Sequence, residues 1–193
     1  MMKTPTNLAL KTGCLLTSLM GLLFATSCST APSTPQAKTD LRDDSSDSLS
    51  KAEQNDPTLQ KLVEGSAGYA VFPNVGKGAI GVGGAYGKGN LYEGGVIVGY
   101  CDLSQGSIGV QLGGQSYTEI LVFQTPDAVQ NFKSGNFAFD AQATAVAIKS
   151  GAGANAKFAD GVAVFTMDEA GLMYEASIGG QKFSYQERQA SAQ

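Results

Sequence analysis

The sequence predicts an α+β fold in which a strongly curved, glycine-rich antiparallel sheet, or a barrel-like core, carries two or three short helices. Residues 65–114 hold 16 of the 25 glycines in the 193-residue chain, far above the average share of about 7%. Between these glycines lie short runs of alternating apolar residues, which are typical of strands. Glycine inside a strand permits sharp bending and close backbone approach. Glycine repeated over several strands therefore predicts strong curvature.

A first helix is predicted just before the glycine-rich region. Ser50 with Glu53 matches a capping box, and Asp56 followed by Pro57 matches an N-cap with proline at the first helical position. Gly65 fits a C-cap. The apolar face of this helix comprises Leu59, Leu62 and Val63. Three apolar residues with an acidic flank favour packing on the core over an amphipathic helix on a membrane surface.

The strands follow in order, with a second helix between them. Five short strands are predicted at residues 69–72, 79–82, 96–98, 108–110 and 120–123. Thr125, Pro126 and Asp127 then predict a helix that ends near Gly135. Alternation returns at residues 137–148. A closing meander is predicted from residues 162–167, a turn at 168–171, and strands at 172–178 and 182–185.

The first 27 residues have the layout of a secretory signal. Lys3 and Lys11 occur without any acidic residue, and an apolar stretch at 14–25 precedes small residues. The stretch is shorter than the roughly 20 apolar residues of a membrane span. Residues 25–28, Ala-Thr-Ser-Cys, resemble a lipobox, which predicts cleavage before Cys28 and acylation of its thiol. The alternative is ordinary secretion with an incidental cysteine.

The organisation after Cys28 is predicted from composition. Residues 28–48 are rich in Ser, Thr, Pro and Asp and are interpreted as the acylated N-terminus and a disordered tether. Residues 49–187 have the size of one domain, and 188–193 form a polar tail. Ser29, where aspartate would suggest inner-membrane retention, favours an outer-membrane anchor. The domain would then face the periplasm, with exposure at the cell surface left open.

Charge and composition exclude several classes of function. Removal of residues 1–27 leaves 11 basic and 17 acidic residues, so the mature chain lacks the basic excess of a nucleic-acid-binding protein. The chain contains no histidine, the commonest general base and zinc ligand. A Gly-x-Gly-x-x-Gly run at 76–81 is not followed by a helical pattern, which argues against a dinucleotide site. We therefore expect neither an enzyme nor a cofactor or metal. Cys101 has no intramolecular partner and is predicted to be a small buried side chain.

Four motifs together resemble the SYLF domain, also called the Ysc-type actin-binding domain. They are GYAVFPNVGKG at 68–78, GAYGKG at 84–89, GSIGVQ at 106–111 and GLM at 171–173, and they occur in the family's order. The resemblance spans about residues 50–186. It implies a non-enzymatic lipid-binding domain, known in eukaryotes for phosphoinositide membranes and actin and in bacteria mostly in exported or lipid-anchored envelope proteins. For an exported protein, anionic phospholipid is the ligand that this resemblance implies.

The predicted lipid site lies in the first two motifs. Glycine lets a phosphate approach backbone N–H groups in a turn, while lysine supplies a point charge. The candidate residues are Lys77, Lys88, Tyr86, Gly76, Gly78, Gly87 and Gly89. The alternative is that both lysines are ordinary turn residues and the glycines serve only the curvature of the sheet.

The sequence is compatible with two functions. The first is headgroup-type binding of anionic phospholipid by the domain of an envelope lipoprotein. The second is a structural or assembly lipoprotein that binds another envelope protein and contacts lipid only through its acyl anchor. Binding of the unacylated domain to vesicles would distinguish them.

Overall fold

A computed structural model describes residues 29–80, 82–107, 115–135, 137–140, 144–168 and 175–189. The predicted signal peptide and Cys28, the predicted strand at 108–110 and most of the predicted turn at 168–171 lie outside these residues. Among the described residues, no helix is both long and apolar enough to cross a membrane.

The described strands form one mixed sheet, which confirms the predicted α+β class. The strands are β1 Gly68–Ile80, β2 Val82–Glu93, β3 Val96–Ser107, β4 Gln115–Phe123, β5 Thr144–Ala147, β6 Val162–Asp168, β7 Glu175–Ser177 and β8 Gln181–Glu187. Their order is β7-β5-β6-β4-β1-β2-β3-β8. Neighbours are antiparallel except β5 and β6, which are parallel. In the described part of the chain the two edge strands, β7 and β8, do not pair with each other, so the sheet is open.

The predicted closing meander is wrong. β6 lies between β4 and β5, whereas β8 crosses to the opposite edge and pairs with β3. Residues 182–185 alternate as predicted, but alternation specifies which side chains face the core and not which strand is the neighbour. The strands at 69–72 and 79–82 also belong to one long hairpin, in which Ile80 pairs with Val82.

The described residues form three α-helices that pack on the sheet, and each begins with a capping residue followed by proline. They are α1 Pro35–Asn55, α2 Pro57–Glu64 and α3 Pro126–Lys133. The side chains of Thr34, Asp56 and Thr125 accept hydrogen bonds from backbone N–H groups of the first turns. The predicted starts of α2 and α3 are therefore confirmed. Gly65 is the C-cap of α2, and Gly135 follows the end of α3 with φ of +74°.

The predicted tether at residues 28–48 is wrong for most of its length, and the domain therefore begins well before residue 49. α1 has 21 residues and is not short, and Ser50 and Glu53 lie inside it instead of forming a capping box. The helix buries small or polar residues, with Ser45 and Ala52 fully buried. The amide Nδ2 of Asn90 on β2 donates to Ser45 Oγ at 3.0 Å and to the Leu41 carbonyl at 3.2 Å. The segment has few apolar residues. Its helix is therefore stabilised mainly by these tertiary contacts with the sheet.

The sheet separates two apolar layers. On β4, Leu121 and Phe123 face a layer that includes α3, whereas Ile120 and Val122 face a layer that includes α1 and α2. Because successive side chains of a strand point to opposite faces, β4 contributes apolar residues to both layers. The first layer also holds a cluster of aromatic rings, Phe132, Phe137, Phe139 and Phe183. Among the described residues, both faces of the sheet thus carry packed apolar side chains.

Candidate functional site

The glycines and lysines predicted as a lipid site lie in paired strands and not in turns. Gly76 pairs with Tyr86 of β2 and with Ser116 of β4, and Lys77 pairs with Ala85 and Gln115. Gly78 pairs with Gly84. The backbone N–H groups of a strand with neighbours on both sides are directed at those neighbours. The predicted anion-binding turn is therefore not formed at Gly76 and Lys77.

Gly87 and Gly89 of β2 provide space for side chains of β1. A Cβ atom on Gly87 would lie 2.9 Å from Val75 Cγ2, and one on Gly89 would lie 2.6 Å from the Val71 carbonyl oxygen and 2.8 Å from the Phe72 ring. Such distances are below van der Waals contact. These two glycines therefore serve close strand packing, which agrees with the alternative interpretation of the glycine-rich motifs.

Lys88 is held by groups of the protein itself. Its Nζ lies 3.0 Å from Asp102 Oδ1 on β3, 3.0 Å from the Thr30 carbonyl and 3.2 Å from the Ser29 carbonyl. The hydroxyl of Tyr86, a half-exposed side chain, donates to the same Asp102 oxygen at 3.2 Å. Desolvation opposes the charge on Lys88, but the hydrogen bonds to Asp102 and Tyr86 outweigh it and raise the pKa of Lys88.

The segment after Cys28 is consequently docked on the sheet. Besides the two bonds from Lys88, the side-chain oxygen Oε1 of Gln186 on β8 accepts hydrogen bonds from Ser29 Oγ and Ala31 N, each at 3.0 Å. The chain is thus fixed within one residue of the predicted acylation site. Lys88 fastens this segment, and headgroup binding by Lys77 and Lys88 stays a prediction.

A basic cleft lies beside the docked segment. We define it by Lys38 and Arg42 on α1, Tyr100 on β3, and Gln186 and Arg188 at the end of β8, and its volume is about 310 Å³. The Lys38 Nζ lies 5.6 Å from the centre of the Tyr100 ring, a cation–π contact. Arg188 N donates to the Val98 carbonyl at 2.9 Å, so the strand pairing continues into the predicted polar tail.

Three cations line this cleft together with one carboxylate, Glu187. Arg42 also pairs with Asp43 at 2.9 Å, but both side chains are more than half exposed, and such a pair is weak. Arginine presents a planar fork of donors to phosphate or carboxylate oxygens. The cleft therefore offers anion-binding chemistry at the point where the chain comes from Cys28.

Sequence reasoning missed this cleft because it treated residues 28–48 as a tether. The signal was present: Thr34 and Pro35 form the same cap-and-proline pair as the other two helices. A helix from Pro35 places Lys38 and Arg42 on one face, because residues four apart are neighbours on a helix. The contribution of Arg188 depends on the pairing of β8 with β3, which no local pattern indicates.

The remaining chemistry of the described residues is sparse. Cys101 is a fully buried free thiol, as predicted, and desolvation raises its pKa well above the ordinary value. Its thiolate, the reactive form, is therefore disfavoured. Over the described ranges, no three acidic or cysteine side chains are grouped so that they could hold a metal ion.

Comparison with known protein families finds a match to the second half of the chain. The family model described as Ysc84, Las17-binding protein actin regulator, matches residues 104–192. The matched segment runs from the end of β3 through β8 and contains α3, Gln186 and Arg188. It does not include α1, which carries Lys38 and Arg42. No curated protein matches the sequence.

Proposed function

We propose that the folded domain of this chain, in which residues 104–192 match the Ysc84 (SYLF) family model, binds anionic phospholipid at a membrane surface without catalysing a reaction. The membrane is that of a bacterial envelope, to which the protein is anchored by acylation of Cys28. The outer membrane, with the domain on its periplasmic side, is the proposed location.

The observation that carries the proposal is the position of the basic cleft next to the docked residues 29–31. Consecutive Cα atoms are about 3.8 Å apart, so an acyl chain on Cys28 would bring the cleft to the depth of the lipid headgroups. Lys38, Arg42 and Arg188 would then meet phosphate oxygens. The whole chain has a net charge of −4, so its overall charge does not attract anionic lipid. Attraction to an anionic membrane therefore requires a local cluster of basic side chains.

Liposome flotation of residues 29–193, which lack Cys28, tests the proposal. We expect binding to vesicles that contain phosphatidylglycerol, none to neutral vesicles, and weaker binding at higher salt. The double variant Lys38→Gln/Arg42→Gln should lose about 2 kcal/mol of binding free energy, roughly thirtyfold in partitioning, at about 1 kcal/mol for each basic residue near an anionic surface.

The matched control is Lys51→Gln/Lys61→Gln, which removes the same charge from exposed positions on α1 and α2 that line no part of the cleft. A Lys77→Gln variant tests the site predicted from the glycine-rich motif. An equal loss in the control would show non-specific charge attraction. Failure of residues 29–193 to bind any vesicle would contradict the proposal and favour an envelope protein as the partner.

A further inference from the structure

The geometry points to a second ligand site, a cavity at the β5 end of the sheet that takes one acyl chain of an anionic single-chain amphiphile, with its carboxylate or phosphate head at Lys149 and Lys157. The cavity lies beneath the connection between β5 and β6 and has a volume of about 430 Å³. Pockets that bind small ligands typically have about 300–1,000 Å³. This inference does not depend on lipid binding at the basic cleft, which lies at the other end of the strand order.

The inner wall of this cavity is apolar. It is formed by Phe139, Ala145 on β5, Val162 and Val164 on β6, and Ile178, all of which are buried members of the layer that includes α3. Phe139 packs edge-on against Phe183 with ring centres 5.7 Å apart. Each methylene transferred from water to such a wall contributes about 0.8 kcal/mol. A hydrocarbon chain therefore fits the wall better than a polar ligand does.

The mouth of the cavity is basic. Lys149 and Lys157 are exposed, and no acidic residue lies among the described residues that line the cavity. Among the side chains that the structure describes, no carboxylate oxygen lies within 4.0 Å of the Nζ of either lysine. The chain as a whole is acidic, with 17 acidic and 13 basic residues. Two lysines beside an apolar cavity therefore give this site a local charge that complements an anionic head.

The loop that carries the two lysines is held in place. Gly151 N and Gly153 N donate to the Asp56 carboxylate at 3.0 Å and 2.6 Å, and Ala154 N donates to Thr58 Oγ1 at 2.9 Å. At the rim, the Asn155 side chain donates to the Gly151 carbonyl at 2.7 Å. The mouth is thus fixed before a ligand arrives, which reduces the entropy lost on binding.

Titration calorimetry with ligands of one chain length tests the inference. The probes are dodecanoate, dodecyl phosphate and dodecanol, each below its aggregation concentration, and inorganic phosphate. The protein is the full chain with Cys28→Ser, so that no attached acyl chain competes. We expect one molecule of either anionic amphiphile per chain, bound at least about tenfold more tightly than dodecanol, and no binding of inorganic phosphate. A preference for the carboxylate would indicate fatty acid as the source, and a preference for the phosphate would indicate a phospholipid fragment.

Two variants locate the site. Lys149→Gln/Lys157→Gln should weaken dodecanoate about tenfold and leave dodecanol unchanged, whereas Ala145→Leu, which fills the cavity, should weaken all three chain-bearing probes. Lys51→Gln/Lys61→Gln is the matched control and should change nothing. Dodecanol binding as tight as dodecanoate, inorganic phosphate binding as tight as dodecyl phosphate, or equal losses in the two lysine pairs would overturn the inference. Loss of binding in Lys38→Gln/Arg42→Gln, with no loss in Lys149→Gln/Lys157→Gln, would assign the ligand to the basic cleft instead.

Discussion

Replacing Asp56 with asparagine is expected to lower the free energy of unfolding by about 3 kcal/mol at pH 7, because the buried carboxylate holds two parts of the chain together. Asp56 Oδ1 accepts hydrogen bonds from Thr58 N at 3.0 Å, Thr58 Oγ1 at 2.7 Å and Gly151 N at 3.0 Å, while Oδ2 accepts from Gly153 N at 2.6 Å. An asparagine amide would place N–H donors against one of these N–H groups. Urea unfolding measures this loss. The control is Asp44→Asn at an exposed position of α1, whose free energy of unfolding should stay within about 0.5 kcal/mol of wild type.

The contribution of Asp56 is also expected to depend on pH. Desolvation alone would raise the pKa of Asp56, but the hydrogen bonds from Gly153, Thr58 and Gly151 outweigh it and lower this pKa. A group with a lowered folded-state pKa stabilises the fold above its unfolded pKa of about 4 and loses that contribution as pH falls through the folded value. The difference in stability between wild type and Asp56→Asn should therefore be constant from pH 5 to 8 and shrink below about pH 4. A difference that grows in acid would contradict this account.

Gly89→Ala is the second substitution with a large expected effect. The added Cβ would lie 2.6 Å from the Val71 carbonyl oxygen and 2.8 Å from the Phe72 ring, in the middle of the sheet. Because one of these neighbours is a backbone atom of the central strand β1, it cannot move aside by changing rotamer. We expect the free energy of unfolding to fall by about 1–3 kcal/mol, the usual range for overpacking.

Gly106→Ala on β3 provides the matched control for Gly89→Ala. A Cβ at Gly106 would have no heavy atom within 4 Å, and alanine suits a strand better than glycine does. This variant should be neutral or slightly stabilising in the same denaturation experiment. If Gly89→Ala were also neutral, the glycines of the second motif would not be required for strand packing, and a direct role in ligand contact would gain support.

Local chemistry explains how much of the fold the sequence could predict. Asp56 and Thr125, each followed by proline, correctly identified two helix starts, because a capping side chain and a fixed φ act within one turn. Alternating residues correctly indicated most of the described strands. The partner of β8 could not be predicted in this way, since β3 is far from β8 in sequence and the buried neighbours of Phe183 come from distant parts of the chain.

The error at residues 28–48 has a specific physical cause. The buried face of α1 includes Ser45 and Ala52 and is not strongly apolar. The sequence therefore lacks the periodic apolar residues by which a helix is usually recognised. Its partner, Asn90, lies 45 positions from Ser45. Headgroup binding by Lys77 and Lys88 of the glycine-rich motifs stays a prediction. Lys88 contacts the N-terminal segment, and this contact depends on folding of the whole chain.

The central claim, that the basic cleft faces the membrane, is tested most directly by fluorescence quenching. The sequence contains no tryptophan, so a single one can be placed at Gln189, an exposed residue that lines the cleft, or at Ala154, exposed in the loop held by Asp56. Lys38, which lines the cleft, and Asp56, which holds the loop, are about 27 Å apart along the axis of α1, at 1.5 Å per residue. In acylated protein on vesicles with brominated phosphatidylglycerol, we expect strong quenching of Gln189→Trp and little of Ala154→Trp. Equal quenching, or stronger quenching at Ala154→Trp, would contradict the claim.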